Sequence, residues 1–303
     1  VLKRDIRAVL RRVNELGLTT FGASGDVVRN VTCCPAPYRK DPVHEEIQGM
    51  AKRISDFLLP RSSAYREIWL SGPDGCSDEG NALGKDDEAI YGKSYLPRKF
   101  KIGIALPGDN CIDVCSHDLG LLAICEDYRV VGYNVLVGGG MGVSPSNDRT
   151  FPALAQSMAF VEPDQVFGVI AAVVKVFRDF GNRSDRKRAR LKYLVADWGI
   201  ERIAAKVSEY FGESLQKPRA ADIWRVDYHT GWHRQGDGLW FFGLMVENGR
   251  LSDQGKMKWK ATLRRICQKF RPGIRLTPQQ NILLTDISDG DRAEIEEILV
   301  RGG

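Results

Sequence analysis

Tyr95-Leu-Pro-Arg-Lys-Phe-Lys101, running straight into the apolar Ile102-Gly-Ile-Ala-Leu106, is the stretch on which the reading of this chain turns. Pro97 lacks a ladder donor and favours strand starts, so the pattern predicts a strand entered from a turn. Alternation along that strand puts Lys99 and Lys101 on one face and Arg98 and Phe100 on the other. Two ammonium groups on one face repel unless water or an anion separates them, and at the mouth of a cleft an anion is the sharper reading. An exposed edge strand guarded by lysines accounts for the same local pattern.

The 303 residues suffice for one large or two medium domains, and 43% hydrophobic with 27% charged residues describes a globular chain rather than a disordered one. No apolar run is long enough to span a membrane and no signal-peptide pattern opens the chain. The expected location is the cytoplasm, or a plastid if the source is a plant or alga. A net charge of +5 suggests anionic ligands more than wholesale nucleic-acid binding. Seven cysteines without regular spacing fit a reducing compartment. Cys111 and Cys115 are spaced C-x3-C, but no second pair completes the four thiolates an iron–sulfur cluster takes, so no metal ligand is assigned in this chain. The chain opens without Met, inside a helical pattern, and breaks off in another at Gly302-Gly303; a segment of a longer protein is expected.

Residues 3–16 predict an amphipathic helix with Ile6, Val9, Leu10 and Val13 on one face and Gly17 as its cap. A turn at 22–26 leads to Val27-Val28-Arg29-Asn30-Val31, where a lone Arg29 in an apolar strand calls for a counter-charge or a solvent-facing end. A helix at 43–59, a β-type stretch at 64–70 and a surface loop at 71–89 follow. Strands are predicted at 119–125 and 130–137, the latter ending in Val137-Gly-Gly-Gly-Met-Gly142. That run is neither a phosphate loop nor a dinucleotide fingerprint, and reads as close backbone approach to something bulky and flat or simply as a flexible turn. A helix covers 163–180. Residues 182–192 hold six cations and predict a helix, capped by Ser184 or Asp185 and reaching Trp198, with Arg183, Arg186, Lys187 and Arg190 on one face. A solvated basic face, an RNA-contacting patch and a polyanionic cofactor all suit such a run. Beyond a helix at 200–211 and a connecting segment at 218–224, the pattern reads strand (231–232), strand (239–246), helix 257–270, strand-turn-strand 273–287 and helix 290–300. Superposing Asn281 on Asn30, and Gln280 on Arg29, makes the second unit echo the first.

Together these stretches resemble the sulfite reductase hemoprotein branch of the sulfite/nitrite reductase family. The matching residues are Gly25-Asp-Val-Val-Arg-Asn-Val31, Tyr95–Lys101, Asp109–Asp118, Gly132–Gly142, Gly181–Tyr193, Gly231–Gly238 with Val246–Gly249, and Thr277–Leu284. The resemblance implies an α+β fold: the remainder of a ferredoxin-like half-domain (1–34), a central siroheme-binding α/β domain (35–220) and a second half-domain (221–303). It implies siroheme and a 4Fe–4S cluster as cofactors, with sulfite bound at the siroheme iron. Arg29, Lys99 and Lys101 are then expected to face the substrate. Arg98, Asn30, Gly138, Gly139, Gly140, Arg183, Arg186, Arg190, Gln280 and Asn281 are expected along the siroheme. The cluster cysteines are expected beyond residue 303, which would leave this segment inactive alone. A second lysine at 101, where nitrite-reducing relatives carry asparagine, favours the sulfite dianion. The segment 231–238 resembles the ferredoxin-dependent type more than the type coupled to an NADPH flavoprotein. The alternatives are assimilatory nitrite reduction, or a basic nucleic-acid-binding module built on 182–192.

Overall fold

A computed structural model describes residues 3–17, 22, 24–60, 70–72, 75–77, 88–255 and 257–302. The strands in chain order are β1 (Val28–Thr32), a short hairpin of β2 (Leu70–Gly72) and β3 (Gly75–Ser77), β4 (Phe100–Ala105), β5 (Leu119–Glu126), β6 (Arg129–Val137) and β7 (Gln156–Val161). After three helices come β8 (Gly231–Arg234), β9 (Trp240–Leu244), the hairpin of β10 (Asp253–Gln254) and β11 (Met257–Lys258), β12 (Gly273–Leu276) and β13 (Ile282–Ile287). The helices are α1 (Ile6–Glu15), α2 (Pro42–Phe57), α3 (Val166–Phe180), α4 (Leu191–Trp198), α5 (Ile200–Phe211), α6 (Trp259–Phe270) and α7 (Arg292–Gly302).

The apolar runs around the opening stretch become one five-stranded sheet in the order β1-β4-β5-β6-β7. β1, β4 and β5 are parallel, whereas β6 and β7 run against their neighbours. Residues 28–32, grouped by the sequence reading with a first half-domain, thus pair with β4. Phe100, Ile102 and Ile104 are all buried on one face of β4, and the Phe100 ring lies 5.8 Å from Phe177 of α3. Burial of such side chains is worth roughly 1.5–3 kcal/mol each, and this row anchors the strand whose other face carries Lys101. α2 is started by Asp41, whose carboxylate accepts the amides of Val43 and His44 at 3.1 Å, satisfying donors that have no partner within the helix.

Residues 231–302 form a second unit of order ββαββα, ignoring the β10–β11 hairpin, with a four-stranded antiparallel sheet β12-β13-β9-β8. Its core joins Leu244, Leu263, Ile266, Leu284 and Ile295, while Phe241 and Leu283 pack into the core of the first unit.

Four differences from the sequence reading have physical causes. The basic segment is not one helix: Asp185 caps a single 3-10 turn, Arg186–Arg188, and Arg190 then takes an extended conformation (φ −76°, ψ 155°) before α4 begins. Arg183, Arg186, Lys187 and Arg190 therefore share no helical face. α1 does form and Gly17 does turn left-handed behind it (φ 73°), yet Ile6, Val9 and Leu10 stay 38–46% exposed. The strand expected at 64–70 lies outside the described residues except for Leu70, which enters the β2–β3 hairpin where a loop was expected. β7 was not foreseen, because its first two residues are exposed and the last four, Met158–Val161, are all buried, so alternation is lost.

Gly132 in β6 shows how tight the sheet is. A Cβ there overlaps the Phe160 ring and comes 2.5 Å from Val161 O. Gly132→Ala is expected to lower stability by about 1–3 kcal/mol, read as a lower urea midpoint with unchanged slope.

Candidate functional site

The site assembles at one edge of the five-stranded sheet, where β4 and β5 begin and antiparallel β6 ends. Register pairs Ile102 with Leu119 and Leu119 with Val137. Lys101, Asp118 and Gly138, each flanking one of these residues, therefore sit side by side across three strands. On the neighbouring strand the register shifts between Val28 and Asn30, so Arg29 occupies a bulge while Asn30 pairs with Lys101. A bulge re-aims one side chain without breaking the ladder beyond it. The Arg29 Nε donates to Gly25 O at 3.0 Å, which answers the question of how an arginine is held inside an apolar strand. Pro97 enters as expected: Leu96 N reaches Asp26 O at 2.9 Å and Phe100 N reaches Val27 O at 3.1 Å, on either side of the donor-less residue.

The resulting group is strongly cationic. Burial, and then the charges of Arg190, Lys101, Arg29 and Arg98, hold the Lys99 ammonium below its ordinary range. Arg98 is likewise held down by burial and by Arg186, Arg29 and Arg190, with Asp26 opposing. Five cations from three segments are thus coupled to one another.

One carboxylate ties two of their segments together. Asp118 is fully buried and accepts from Arg190 Nε at 3.0 Å, from the Arg190 guanidinium again at 2.8 Å, and from Lys101 N at 3.0 Å. Burial pushes this carboxyl up from its usual range, but the bidentate guanidinium and the amide keep it an anion at neutral pH. Arg186 makes a second bidentate pair, with Asp26, at 2.8 and 3.0 Å.

The three glycines are explained by what surrounds them. Gly138 is left-handed (φ 90°) against Val195, a Cβ on Gly139 overlaps the carbonyl oxygens of Cys115 and His117, and one on Gly140 comes 3.1 Å from the Arg190 guanidinium. Lys192 is buried beneath this loop, its ammonium donating to Gly140 O at 3.0 Å, Gly142 O at 2.9 Å and Phe151 O. Arg183 turns to the strand entry and donates to the carbonyls of Ser94, Tyr95 and Arg178. With Arg188 near Asp197 (3.7 Å) and Lys187 on Ser146 (3.4 Å), all six cations of 182–192 have partners within the protein. The run is therefore not a row of unpaired cations, as a wholly solvated basic face would be.

Gln280 and Asn281 lie on the turn between β12 and β13. Asn281 is buried and accepts Val246 N at 2.9 Å, while Gln280 is exposed with φ 67°. Among the described residues neither hydrogen-bonds to the cationic group. Asp118, Lys192 and His117 were missed by sequence reasoning. His117 stands beside Lys101, and burial and that charge lower its pKa, so its ring is neutral at pH 7. The signal for Asp118 was present: an acid immediately before the apolar run of β5, beside a strand led by lysines.

Residues 24–215 match the family model for the nitrite and sulphite reductase 4Fe–4S domain, and residues 233–301 match that of the nitrite/sulfite reductase ferredoxin-like half domain. The chain belongs to the nitrite and sulphite reductase family. It is 40% identical to a sulfite reductase (ferredoxin) of Synechococcus elongatus over 99% of this chain and 50% of that relative. It is 39% identical to a sulfite reductase (NADPH) hemoprotein beta-component of Staphylococcus haemolyticus over 100% of this chain and 52% of that relative. The structure of the NirA protein of Mycobacterium tuberculosis superposes with a TM-score of 0.69 at 26% identity, covering 99% of this chain and 48% of that one. The chain therefore spans about half the length of the curated relatives it matches. No helix among the described residues is long and apolar enough to cross a membrane. The ββαββα unit occupies the stretch that the half-domain model matches.

Thiols are not gathered in fours among the described residues. Among the described residues one buried group brings two of them, Cys34 and Cys111, together with Asp109 and His229; Cys115 is not a member. That group does not fit a 4Fe–4S cluster, which takes four thiolates.

The buried ion pair predicts a pronounced asymmetry. Asp118→Asn is expected to cost about 3–5 kcal/mol, because it leaves a guanidinium uncompensated, whereas Asp118→Leu with Arg190→Met costs less than the sum of the single changes. Denaturant titration of the four proteins reads the coupling.

Proposed function

We propose that the protein reduces sulfite to sulfide, and that this chain supplies the cationic wall against which substrate and siroheme are held. The observation that carries the reading is the mutual coupling of Arg29, Arg98, Lys99, Lys101 and Arg190 at one end of the sheet, where Asp118 fixes Arg190 and the backbone of Lys101. Siroheme carries several carboxylates and sulfite is a dianion, so such an excess of positive charge fits both. Arg98 and Arg190, with Asn30, the backbone at Gly138, Gly139 and Gly140, and Arg186, would lie along the macrocycle; Gln280 and Asn281 would close it from the second unit. Arg183, already turned onto three carbonyls, supports the strand entry instead. When bound, siroheme supplies an iron that takes the substrate's sulfur and passes electrons to it. The thiols described here do not fit a 4Fe–4S cluster, so its ligands are proposed to lie in the part of the protein that matches the rest of the relatives' length.

The side chains divide the remaining work. Conversion of sulfite to hydrogen sulfide takes six electrons and eight protons and releases three waters, so charge must be offset and protons delivered repeatedly. Arg29 stays charged and orients oxygens through its planar fork. Lys99, held below its usual pKa by burial and four cations, is the readier proton donor. Lys101, whose backbone is tied to Asp118, contributes a fixed charge that a dianion uses more fully than nitrite does. A reducing redox protein is the proposed partner, and the segment 231–238 favours a ferredoxin over an NADPH flavoprotein.

Assayed in the full-length protein with a reduced viologen dye, Lys99→Arg is expected to keep KM within about threefold while kcat falls about 100-fold. Lys101→Asn is expected to lower kcat/KM for sulfite more than for nitrite. Equal losses for both anions would contradict the role given to Lys101, and unaltered turnover in both variants would overturn the reading.

A further inference from the structure

At the opposite end of the same strands lies a buried group that the reaction does not use. Cys34 follows β1, Asp109 and Cys111 follow β4, and His229 belongs to the connecting strap before β8. The four residues are 1%, 6%, 1% and 2% exposed, and one ligand atom from each lies within 4.8 Å of the others. We propose that Cys34, Asp109, Cys111 and His229 form a structural zinc site that fastens the ββαββα unit to the five-stranded sheet.

Two of the separations are already close to those the ion requires, and all lie within 4.8 Å. Zinc takes sulfur at about 2.3 Å and nitrogen or oxygen at about 2.0–2.2 Å in a tetrahedron, whose edges are then about 3.3–3.8 Å. His229 Nε2 stands 3.2 Å from Cys34 Sγ and 3.3 Å from an Asp109 oxygen. Two sulfurs, an imidazole and a carboxylate form a borderline-soft set suited to zinc, and four protein ligands leave no open position, as in a structural site.

The surrounding groups orient the ligands. His229 Nδ1 faces Tyr38 Oη at 3.2 Å and Asp227 at 3.9 Å, which leaves Nε2 pointing inward. Asp109 also meets His44 Nε2 at 3.2 Å, and the other nitrogen of His44 meets Asp41 at 2.9 Å. Ala36 N donates to Cys34 Sγ at 3.4 Å and Cys111 N to Asp109 at 3.4 Å. Such outer partners fix the tautomer and direction of metal ligands. Binding would release both thiol protons to solvent, and two thiolates with one carboxylate exceed the zinc charge by one. Arg275, donating to Pro35 O at 2.9 Å, supplies nearby positive charge.

The site also explains the seam it occupies. Arg275 and Gln279, both from the second unit, donate to Pro35 O and Cys111 O beside the proposed ligands. The cationic site shares no residue with this group, so failure of either proposal leaves the other standing.

The test is metal analysis of full-length protein expressed with zinc sulfate in the medium, with zinc and iron counted separately. The expected result is close to one zinc per chain, with two sulfur neighbours in zinc-edge X-ray absorption. Cys111→Ser and Asp109→Asn are expected to lose most of that zinc, and Cys115→Ser to keep it. Removing zinc with a chelator is expected to lower the thermal midpoint, and adding zinc sulfate back to restore it. Folded wild-type protein with far less than stoichiometric zinc would overturn the proposal without recourse to any variant. So would zinc lacking sulfur neighbours, or a disulfide between Cys34 and Cys111 found by thiol titration of freshly denatured protein.

Discussion

The bond between Asp118 and Arg190 is the constraint on which the cationic edge depends. Two like charges 4 Å apart repel by about 4 kcal/mol at the effective dielectric of a protein surface, so five cations do not gather for the sake of stability. Asp118 makes the gathering tolerable in two ways: its charge opposes one guanidinium directly, and its second oxygen holds the backbone of the strand that carries the lysines. Because this carboxylate is fully buried, it offsets charge from inside the protein and leaves the lysine ammonium groups without a direct carboxylate partner among the described contacts. The edge remains poised for an anion.

Much of this was legible in the chain. The Pro-Arg-Lys-Phe-Lys run was readable because a strand's period of two is rigid, and the structure keeps Phe100 buried opposite the exposed-side Lys101. The glycines 138–140 were readable as points of close approach, although the neighbours that crowd them are the carbonyls of residues 115 and 117, Val195 and Arg190. The basic run 182–192 was misread because helical spacing was assumed across residues whose side chains each find a different tertiary partner. Asp26, Asp118, Asp197 and the carbonyls near Ser94 pull the cations apart, and no helix can satisfy all of them at once. Asp118 itself was invisible as a partner because seventy-two residues separate it from Arg190. Long-range pairings of this sort have no local signature.

The parallel strands serve both of their ends. β4 is six residues long, so at about 3.3 Å per residue it spans roughly 20 Å. One end presents cations; the other collects Cys34, Asp109, Cys111 and His229 beneath the second unit. Because the same ladder of hydrogen bonds joins the two, anything that tilts the ββαββα unit on its seat bears on strands that also carry Lys101 and Asp118.

Lys192 has a consequence for the medium in which the protein works. Its ammonium occupies a nest of carbonyl oxygens of the kind that elsewhere would take up potassium or sodium. Here the ion is tethered to the chain and cannot be exchanged, so the shape of the glycine turn above it is independent of which monovalent salt surrounds the protein.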